Sequence, residues 1–271
     1  MKTKAIVALT LGMICFTASG ALAESLTIKG STTVLPIAQK AAEAYMKEHP
    51  DVKITISGGG SGNGIKALID GTTDIADSSR FIKDKEVRLA VEKGAYPVPF
   101  AVAYDCIVPV VHPSNPVKNL TSDQLHKIYA GKVKNWKEVG GPDRTIVVIS
   151  RDTSSGTYEV WHDKVLKKDR VFPGALLQAS NGAVVQAVSN NKNAIGYIGL
   201  GYLNESVKAT TVNGIKGSEE TTLSGAYPIS RPLYMFTRGW PKGEVAKFIN
   251  YVMHPNGGQK QVKAAGYVPL Y

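Results

Sequence analysis

The sequence predicts an α/β fold with mainly parallel sheets, and three observations indicate this class. Segments with alternating or β-branched apolar residues are followed, along most of the chain, by segments with helical spacing of apolar residues. Three of the strand-to-helix junctions carry small polar residues, and parallel strands bring such junctions to one edge of a sheet. The sequence contains no heptads, internal repeats or low-complexity blocks, so a coiled coil or a repeat protein is excluded.

The first 23 residues are typical of a secretory signal peptide. Lys2 and Lys4 precede an apolar run from Ala5 to about Ala18, and Ala21-Leu22-Ala23 provides a cleavage site of the small-x-small type. The apolar run is shorter than the roughly 20 residues that span a membrane. We therefore expect cleavage after Ala23 and export of a soluble protein.

Charge and cysteine content narrow the possible partners. Cleavage would leave 248 of the 271 residues, enough for two modest domains, and would lower the formal net charge from +10 to +8. The lysines are scattered and no basic-aromatic motif is present, so a small anion is favoured over nucleic acid as the partner. Cys106 would be the single cysteine of the mature chain, which excludes an intramolecular disulfide.

The first polar junction follows the short strand Leu26-Thr27-Ile28. Ser31, Thr32 and Thr33 stand just before a helical pattern, and Pro36 suits the first turn of that helix because its missing N–H has no partner there. One hydroxyl is enough to cap a helix. Three hydroxyls at this position therefore indicate more than capping.

The second junction is rich in glycine. The alternating strand at residues 53–57 leads into residues 58–64, and a helical pattern follows. Gly62 and Gly64 match a relaxed dinucleotide fingerprint, but this match is weak alone, and the Gly-Lys-Ser/Thr ending of a nucleotide-binding P-loop is missing. We interpret the junction as an anion contact through Ser61 and neighbouring amides.

The third junction follows the β-branched run at residues 145–149. Arg151 offers a planar guanidinium, Ser155 and Thr157 offer hydroxyl donors, and Gly156 lets an anion approach the backbone because it lacks a Cβ. These residue types at the start of a helix predict an anion site. The alternative is that the hydroxyls only cap the helix.

Two further strands carry polar residues in unusual places. Residues 74–80 are predicted to form a strand that ends in a polar cluster with Ser79, although a solvated loop is the alternative. Asp105 interrupts an apolar β-like segment at residues 98–111, where a carboxylate is costly without a partner. Asp105 is therefore either hydrogen-bonded within the fold or functional. Pro109 predicts that this segment lies at a sheet edge or is interrupted.

The rest of the chain continues the alternation of strands and helices. A capping box at residues 121–124 predicts a helix start, residues 194–198 and 232–237 are predicted strands, and helices are expected after Pro241 and at residues 259–265. Large aromatic residues usually fill α/β cores, so we expect the three tryptophans to pack inside. They are Trp136, Trp161 and Trp240.

Taken together, these segments resemble the periplasmic phosphate-binding proteins of the phosphate-specific ABC transporter. The matching segments, in order, are Gly30–Pro36, Gly60–Gly64, Asp74–Arg80, Asn119–Thr121, Arg151–Thr157 and Ala194–Tyr197. The resemblance covers nearly the whole mature chain. It implies a two-lobed periplasmic binding protein of type II, in which each lobe is a mainly parallel sheet flanked by helices and the ligand lies in the cleft. The implied lobes are residues 24–103 with 228–271, and residues 104–227.

The resemblance also implies a ligand set. Its members with good local matches are Ser61, Arg151, Ser155, Gly156 and Thr157. In the first loop the family ligands align to the amides of about Val34 and Leu35, whereas this chain has hydroxyls at Ser31, Thr32 and Thr33. Ser79 stands where the better-known branch has an aspartate that accepts the proton of phosphate, a proton that sulfate lacks. This chain therefore either has another acceptor or discriminates less between phosphate and sulfate, and we hypothesise that Asp105 replaces that acceptor.

The function implied by the resemblance is capture of inorganic phosphate in the periplasm by lobe closure, followed by delivery to inner-membrane ABC permease subunits. The protein is then a monomer without cofactor or metal, and no bond is made or broken. Alternatives with the same fold are another oxyanion, such as sulfate, molybdate or phosphonate, and a role in phosphate sensing. An exported phosphatase is a remote alternative, because the five histidines are dispersed and no metal or nucleophile motif is present.

Overall fold

A computed structural model describes residues 24–271, and the predicted signal peptide lies outside the described residues. Strands and helices alternate along most of the described chain. The strands are β1 (Glu24–Gly30), β2 (Val52–Gly58), β3 (Ile75–Ser78), β4 (Pro97–Val111), β5 (Asn119–Leu120), β6 (Val147–Arg151), β7 (Leu176–Gln178), β8 (Ala194–Gly199), β9 (Lys208–Ala209), β10 (Thr211–Val212) and β11 (Ser230–Arg238). The helices are α1 (Leu35–Glu48), α2 (Ser61–Ile69), α3 (Asp84–Glu92), α4 (Ser122–Tyr129), α5 (Gly156–Lys164), α6 (Asn181–Ser189), α7 (Glu219–Leu223), α8 (Gly243–Met253) and α9 (Gly258–Ala264).

One curled sheet contains most of the strands, in the order β2-β1-β3-β11-β4-β8-β6-β7, with β9 also paired to β4. The predicted parallel pairing occurs at both ends of this order, where β1 pairs with β2 and β3, and β6 pairs with β7 and β8. The central strands β11 and β4 are antiparallel to each other and to their outer neighbours. The reason is that the chain leaves the first half of the fold along β4 and returns along β11.

β4 joins the two halves of the sheet. Residues 97–106 of β4 pair with β11, and residues 107–111 pair with β8. The expectation that Pro109 marks an edge or an interruption was wrong, because Pro109 lies in register with Tyr197 inside a continuous strand. Proline lacks an N–H but keeps its carbonyl, and that of Pro109 accepts a hydrogen bond from the Thr210 amide at 3.0 Å.

The apolar side chains form two main clusters that share no residue. One packs α1, α8 and α9 against the sheet, and its members lie between Leu26 and Ala103 or between Leu233 and Tyr267. The other lies between Cys106 and Ile229. A smaller third cluster fills the space under α2 and α3. The molecule is therefore a mixed α/β protein of two domains, joined by the strands that cross between the clusters.

Two of the three tryptophans pack as expected. Trp136 and Trp161 are fully buried, and the Trp161 ring stacks on Tyr197 with the ring centres 4.3 Å apart. Trp240 is 74% exposed, so its assignment to the core was wrong. It follows β11 in the bend before α8, where it contacts the Phe100 ring at the sheet surface instead of entering a core.

Candidate functional site

Four helix N-termini converge between the two domains. The Oγ1 atoms of Thr33, just before α1, and Thr157, in the first turn of α5, lie 2.9 Å apart. Asn181 begins α6 and donates to Thr33 Oγ1 at 3.0 Å. Ser61 begins α2, and a Cβ placed on Gly156 would lie 3.0 Å from its Cβ. The first amides of each helix lack intrahelical partners and carry partial positive charge, so this convergence favours an anion.

The start of α5 combines capping with close approach. The Ser155 hydroxyl accepts a hydrogen bond from the Tyr158 amide at 3.2 Å, so the predicted capping role is real. A hydroxyl that accepts a capping bond still has a proton to donate. A Cβ on Gly156 would lie 2.7 Å from Ser79 Oγ and closer still to Ser61 Oγ. Glycine is therefore required where α5 meets the serines of the first domain.

Arg151 is a buried cation held by backbone carbonyls. It ends β6 and is 1% exposed. Its Nε donates to the Gln178 carbonyl at 2.9 Å and its Nη2 to the Ala179 carbonyl at 3.0 Å. Within residues 24–271 its Nη1 has no hydrogen-bond partner. Burial lowers the pKa of this guanidinium, but arginine stays charged in proteins, so Arg151 presents a fixed positive charge with one uncommitted nitrogen.

Asp105 forms a buried ion pair with Arg231, which faces it across β4 and β11. Arg231 Nε and Nη2 donate to Asp105 Oδ2 at 3.0 and 2.8 Å, and the Leu200 amide donates to Oδ1 at 2.9 Å. Burial raises the pKa of Asp105, and the charge of Arg231 opposes this shift. Arg231 also donates to the Ser79 carbonyl and to Thr157 Oγ1, both at 3.0 Å. The carboxylate thus has the partner that its apolar segment requires.

The second domain holds the first loop in place through Asn181 and Tyr202. Asn181 is fully buried and donates to Thr32 Oγ1 at 3.1 Å, in addition to its bond to Thr33. The Tyr202 hydroxyl donates to the Thr32 carbonyl at 2.6 Å. Both residues belong to segments with no part in the predicted site.

Within the first loop, the backbone amides serve the loop itself. The Leu35 amide donates to the Ser31 carbonyl at 3.1 Å. The amides of Thr33 and Val34 donate to Ser31 Oγ at 3.1 and 3.4 Å. The hydroxyls of Thr32 and Thr33 are therefore the loop groups that contact the other helix N-termini.

Ser61 and Ser79 form a second pair of hydroxyls. Their Oγ atoms lie 3.3 Å apart, and the Ser79 amide donates to Ser61 Oγ at 3.0 Å. Both side chains are buried. Asp77, two residues before Ser79, is 1% exposed, and its Oδ1 has no hydrogen-bond partner among the described residues. Burial raises the pKa of Asp77 well above its usual range.

Ionic contacts join the two domains beside this site. Arg80 pairs with Glu86 through Nη1 at 2.8 Å and Nη2 at 2.7 Å. Its Nε lies 2.8 Å from Glu159 Oε2 on α5, a distance of an ion pair without hydrogen-bond alignment. Lys83 Nζ approaches the same oxygen at 2.7 Å. The loop before α3 is therefore bound to the helix whose N-terminus forms part of the site.

The sequence of this chain is similar to that of known phosphate-binding proteins. Residues 17–256 match the model of the PBP superfamily domain. The phosphate-binding protein PstS of Bacillus subtilis is 33% identical over 247 residues, which are 91% of this chain and 81% of that protein. The chain belongs to the PstS family of the PBP superfamily. PstS of Staphylococcus epidermidis is 35% identical over 254 residues, 89% of this chain and 77% of that protein.

Solved structures agree with membership in the PstS family. A putative phosphate ABC transporter substrate-binding protein of Clostridium perfringens, with bound phosphate, has a TM-score of 0.86 at 35% identity, covering 92% of this chain and all of that one. An ABC-type phosphate transport receptor of Vibrio cholerae has a TM-score of 0.73 at 33% identity, covering 90% of this chain and 99% of that one.

Sequence reasoning missed two buried polar residues of this candidate site, namely Asn181 and Arg231. A partial signal existed for Arg231. Asp105 was expected to need a partner. Arg231 directly precedes the predicted apolar strand at residues 232–237, where a buried charge also needs a partner. The pairing itself depends on the register of β4 and β11, which residue types alone do not specify.

Proposed function

We propose that this protein binds inorganic phosphate between its two domains and delivers it to an ABC permease, with no bond made or broken. The observation that carries this proposal is the convergence of four helix N-termini, together with the uncommitted Nη1 of Arg151, which ends the strand that precedes α5. Backbone amides, hydroxyls and a guanidinium fit the oxygens of a tetrahedral anion. Relatives named phosphate-binding proteins, and a similar structure with bound phosphate, support phosphate as that anion.

We propose that the residues of the site act in two groups. The first group contacts phosphate, with Arg151 supplying charge and the others supplying hydroxyl or amide donors. Its members are Thr32, Thr33, Ser61, Ser79, Arg151, Ser155, Gly156 and Thr157. The second group, Ser31, Val34 and Leu35, shapes the first loop through its internal hydrogen bonds.

We propose Asp105 as the acceptor of the phosphate proton. Its Oδ2 already accepts two bonds from Arg231, whereas Oδ1 accepts one bond from the Leu200 amide. A carboxylate oxygen has two lone pairs, so Oδ1 keeps one for a proton. Such an acceptor would favour phosphate over sulfate, which carries no proton near neutral pH.

We propose that the two lobes are residues 24–103 with 228–271, and residues 104–227, and that they close over the anion by a hinge motion. The separate apolar clusters support the first boundary, since one cluster ends at Ala103 and the other begins at Cys106. Near the second boundary, the second-lobe cluster continues to Ile229, two residues past the proposed end of that lobe, and the first-lobe cluster resumes at Leu233. Closure is favoured by a ligand that contacts both lobes. We further propose that the protein works in the periplasm as a monomer.

The test is calorimetric titration of the mature protein, stripped of bound anion, with phosphate and then with sulfate. We expect one-to-one binding of phosphate, no binding of sulfate, and loss of phosphate binding in Arg151→Ala. Arg144→Ala removes an exposed arginine just before β6 and serves as the matched control. Preference for sulfate would assign the site to another oxyanion, and the absence of anion binding would leave helix capping as the role of these residues.

A further inference from the structure

The hydroxyls of Thr33 and Thr157 are surrounded by donors whose identity the structure fixes. The amide of Asn181 has one possible orientation, because its Oδ1 accepts from the Gly199 backbone N–H at 3.1 Å and a backbone N–H can only donate. Asn181 Nδ2 must therefore donate its two protons, one to Thr32 Oγ1 and one to Thr33 Oγ1. One lone pair of Thr33 is occupied by this bond.

Arg231 donates to Thr157 as Asn181 donates to Thr33. Its Nη2 donates to Thr157 Oγ1 at 3.0 Å and to Asp105 Oδ2 at 2.8 Å, which uses both protons of that nitrogen. A guanidinium cannot accept a hydrogen bond. Nη2 also donates to Thr33 Oγ1 at 3.4 Å, so one of its protons is shared between two acceptors. One lone pair of Thr157 is therefore occupied in the same way.

The two hydroxyls share one hydrogen bond, and the other donors fix its direction. Thr33 Oγ1 already accepts from Asn181 Nδ2 and from Arg231 Nη2, which fill its two lone pairs. Thr33 must therefore donate to Thr157, whose two lone pairs are then filled by Thr33 and Arg231. The pair offers the Thr157 O–H outward and keeps no free lone pair.

We propose that Asn181 and Arg231 are positioning residues that commit the Thr33–Thr157 pair to donating a proton to a bound phosphate oxygen. This inference rests on the proposed function, because it concerns how the same site reads its anion. A hydroxyl can accept as well as donate, so an isolated threonine pair could also take a proton from an anion. With Asn181 and Arg231 in place, the pair rejects an anion that presents a P–OH group to it.

The distinguishing experiment is a double-mutant cycle for phosphate affinity, measured by calorimetry. Asn181→Ala removes the donor to Thr33, and we expect it to weaken phosphate binding roughly tenfold, the effect of one lost hydrogen bond. In the Thr33→Val background the same substitution should change the affinity by less than about threefold, because the hydroxyl through which Asn181 acts is gone. An equal, additive loss in both backgrounds would overturn the proposal.

A second readout separates proton orientation from packing. Asn181→Ala frees a lone pair on Thr33, so the variant should tolerate dihydrogen phosphate better, and the fall in phosphate affinity on going from about pH 8 to about pH 5.5 should become shallower than in the wild type. An unchanged slope would contradict the proposal. Gln259→Ala is the matched control, since Gln259 is also a buried amide with three hydrogen bonds but lies against Val102, Val252 and Leu270.

The outcome for the wild type distinguishes this inference from the proposed function. If the wild type binds no phosphate, the proposed function fails. If the wild type and Gln259→Ala bind phosphate alike while Asn181→Ala binds as tightly as they do, the function stands and the orienting role of Asn181 is wrong.

Discussion

Asp105 and Arg231, 126 residues apart in the chain, lie opposite each other on β4 and β11 and form an ion pair of 2.8 Å that is closed to solvent. Removing one partner of a buried pair leaves the other charge unpaired, which costs more than the pair contributes. The same arginine reaches Ser79 and Thr157, which belong to different lobes as we propose them. This ion pair therefore connects the strands that cross the molecule to the anion site.

Asp105→Asn is expected to have two separable effects. It should reduce the free energy of unfolding by about 3 kcal/mol, because Arg231 loses its counter-charge. It should also reduce the preference for phosphate over sulfate, because the proposed proton acceptor is lost. Denaturant unfolding and competitive titration measure the two effects. A destabilised variant with unchanged anion preference would show that Asp105 serves Arg231 alone.

Asp77→Asn should stabilise the protein at neutral and higher pH. Burial raises the pKa of Asp77 in the folded protein well above its usual range. The folded wild type therefore keeps its full stability below the unfolded pKa of about 4 and loses stability as pH rises through the folded pKa. The gain in Tm should thus be small near pH 4 and should grow towards pH 8. Asp51→Asn, at an exposed aspartate, is the control. A lower Tm for Asp77→Asn at pH 8 would mean that the carboxylate is ionised and paired.

Gly156→Ala should weaken phosphate binding at least about tenfold without unfolding either domain. The added Cβ would lie 2.7 Å from Ser79 Oγ, so α5 cannot approach the first domain as closely. The unliganded protein should keep or slightly increase its Tm, since alanine favours a helix by up to about 1 kcal/mol. Gly182→Ala, in the first turn of α6, is the matched control, because a Cβ added at Gly182 would have its nearest neighbours 3.9 Å away. Unchanged affinity in Gly156→Ala would refute close packing at this point.

Glu159→Gln tests whether the ion pair with Arg80 holds the lobes closed. Loss of the pair should raise the phosphate dissociation rate several-fold, and the effect should disappear in an Arg80→Gln background. Removal of a negative charge from the first turn of α5 would by itself slow phosphate dissociation. Loss of the ion pair and loss of the charge therefore change the dissociation rate in opposite directions. Stopped-flow dissociation measures the rate. Glu219→Gln, at an exposed first-turn glutamate of α7, is the control.

Much of the local structure could be predicted from the sequence because it depends on neighbouring residues. The capping box of Thr121 with Gln124 and the strand-turn-helix order around Ser61 and Arg151 follow from side chains that act on their own backbone. One strand was extended by tertiary contacts. β11 begins at Ser230 instead of Pro232, because Ser230 and Arg231 pair with Cys106 and Asp105 of β4.

By itself, the sequence determined the α/β class, the three polar junctions and the candidate ligands at Arg151 to Thr157, because strand and helix periodicity and helix-start chemistry are local. The tertiary structure alone decided that these junctions meet, that Arg231 is the partner of Asp105, and that Asn181 holds the first loop. Those contacts join residues more than 100 positions apart. Strand register and domain packing select them from many equivalent polar residues, and neither is encoded in any short segment.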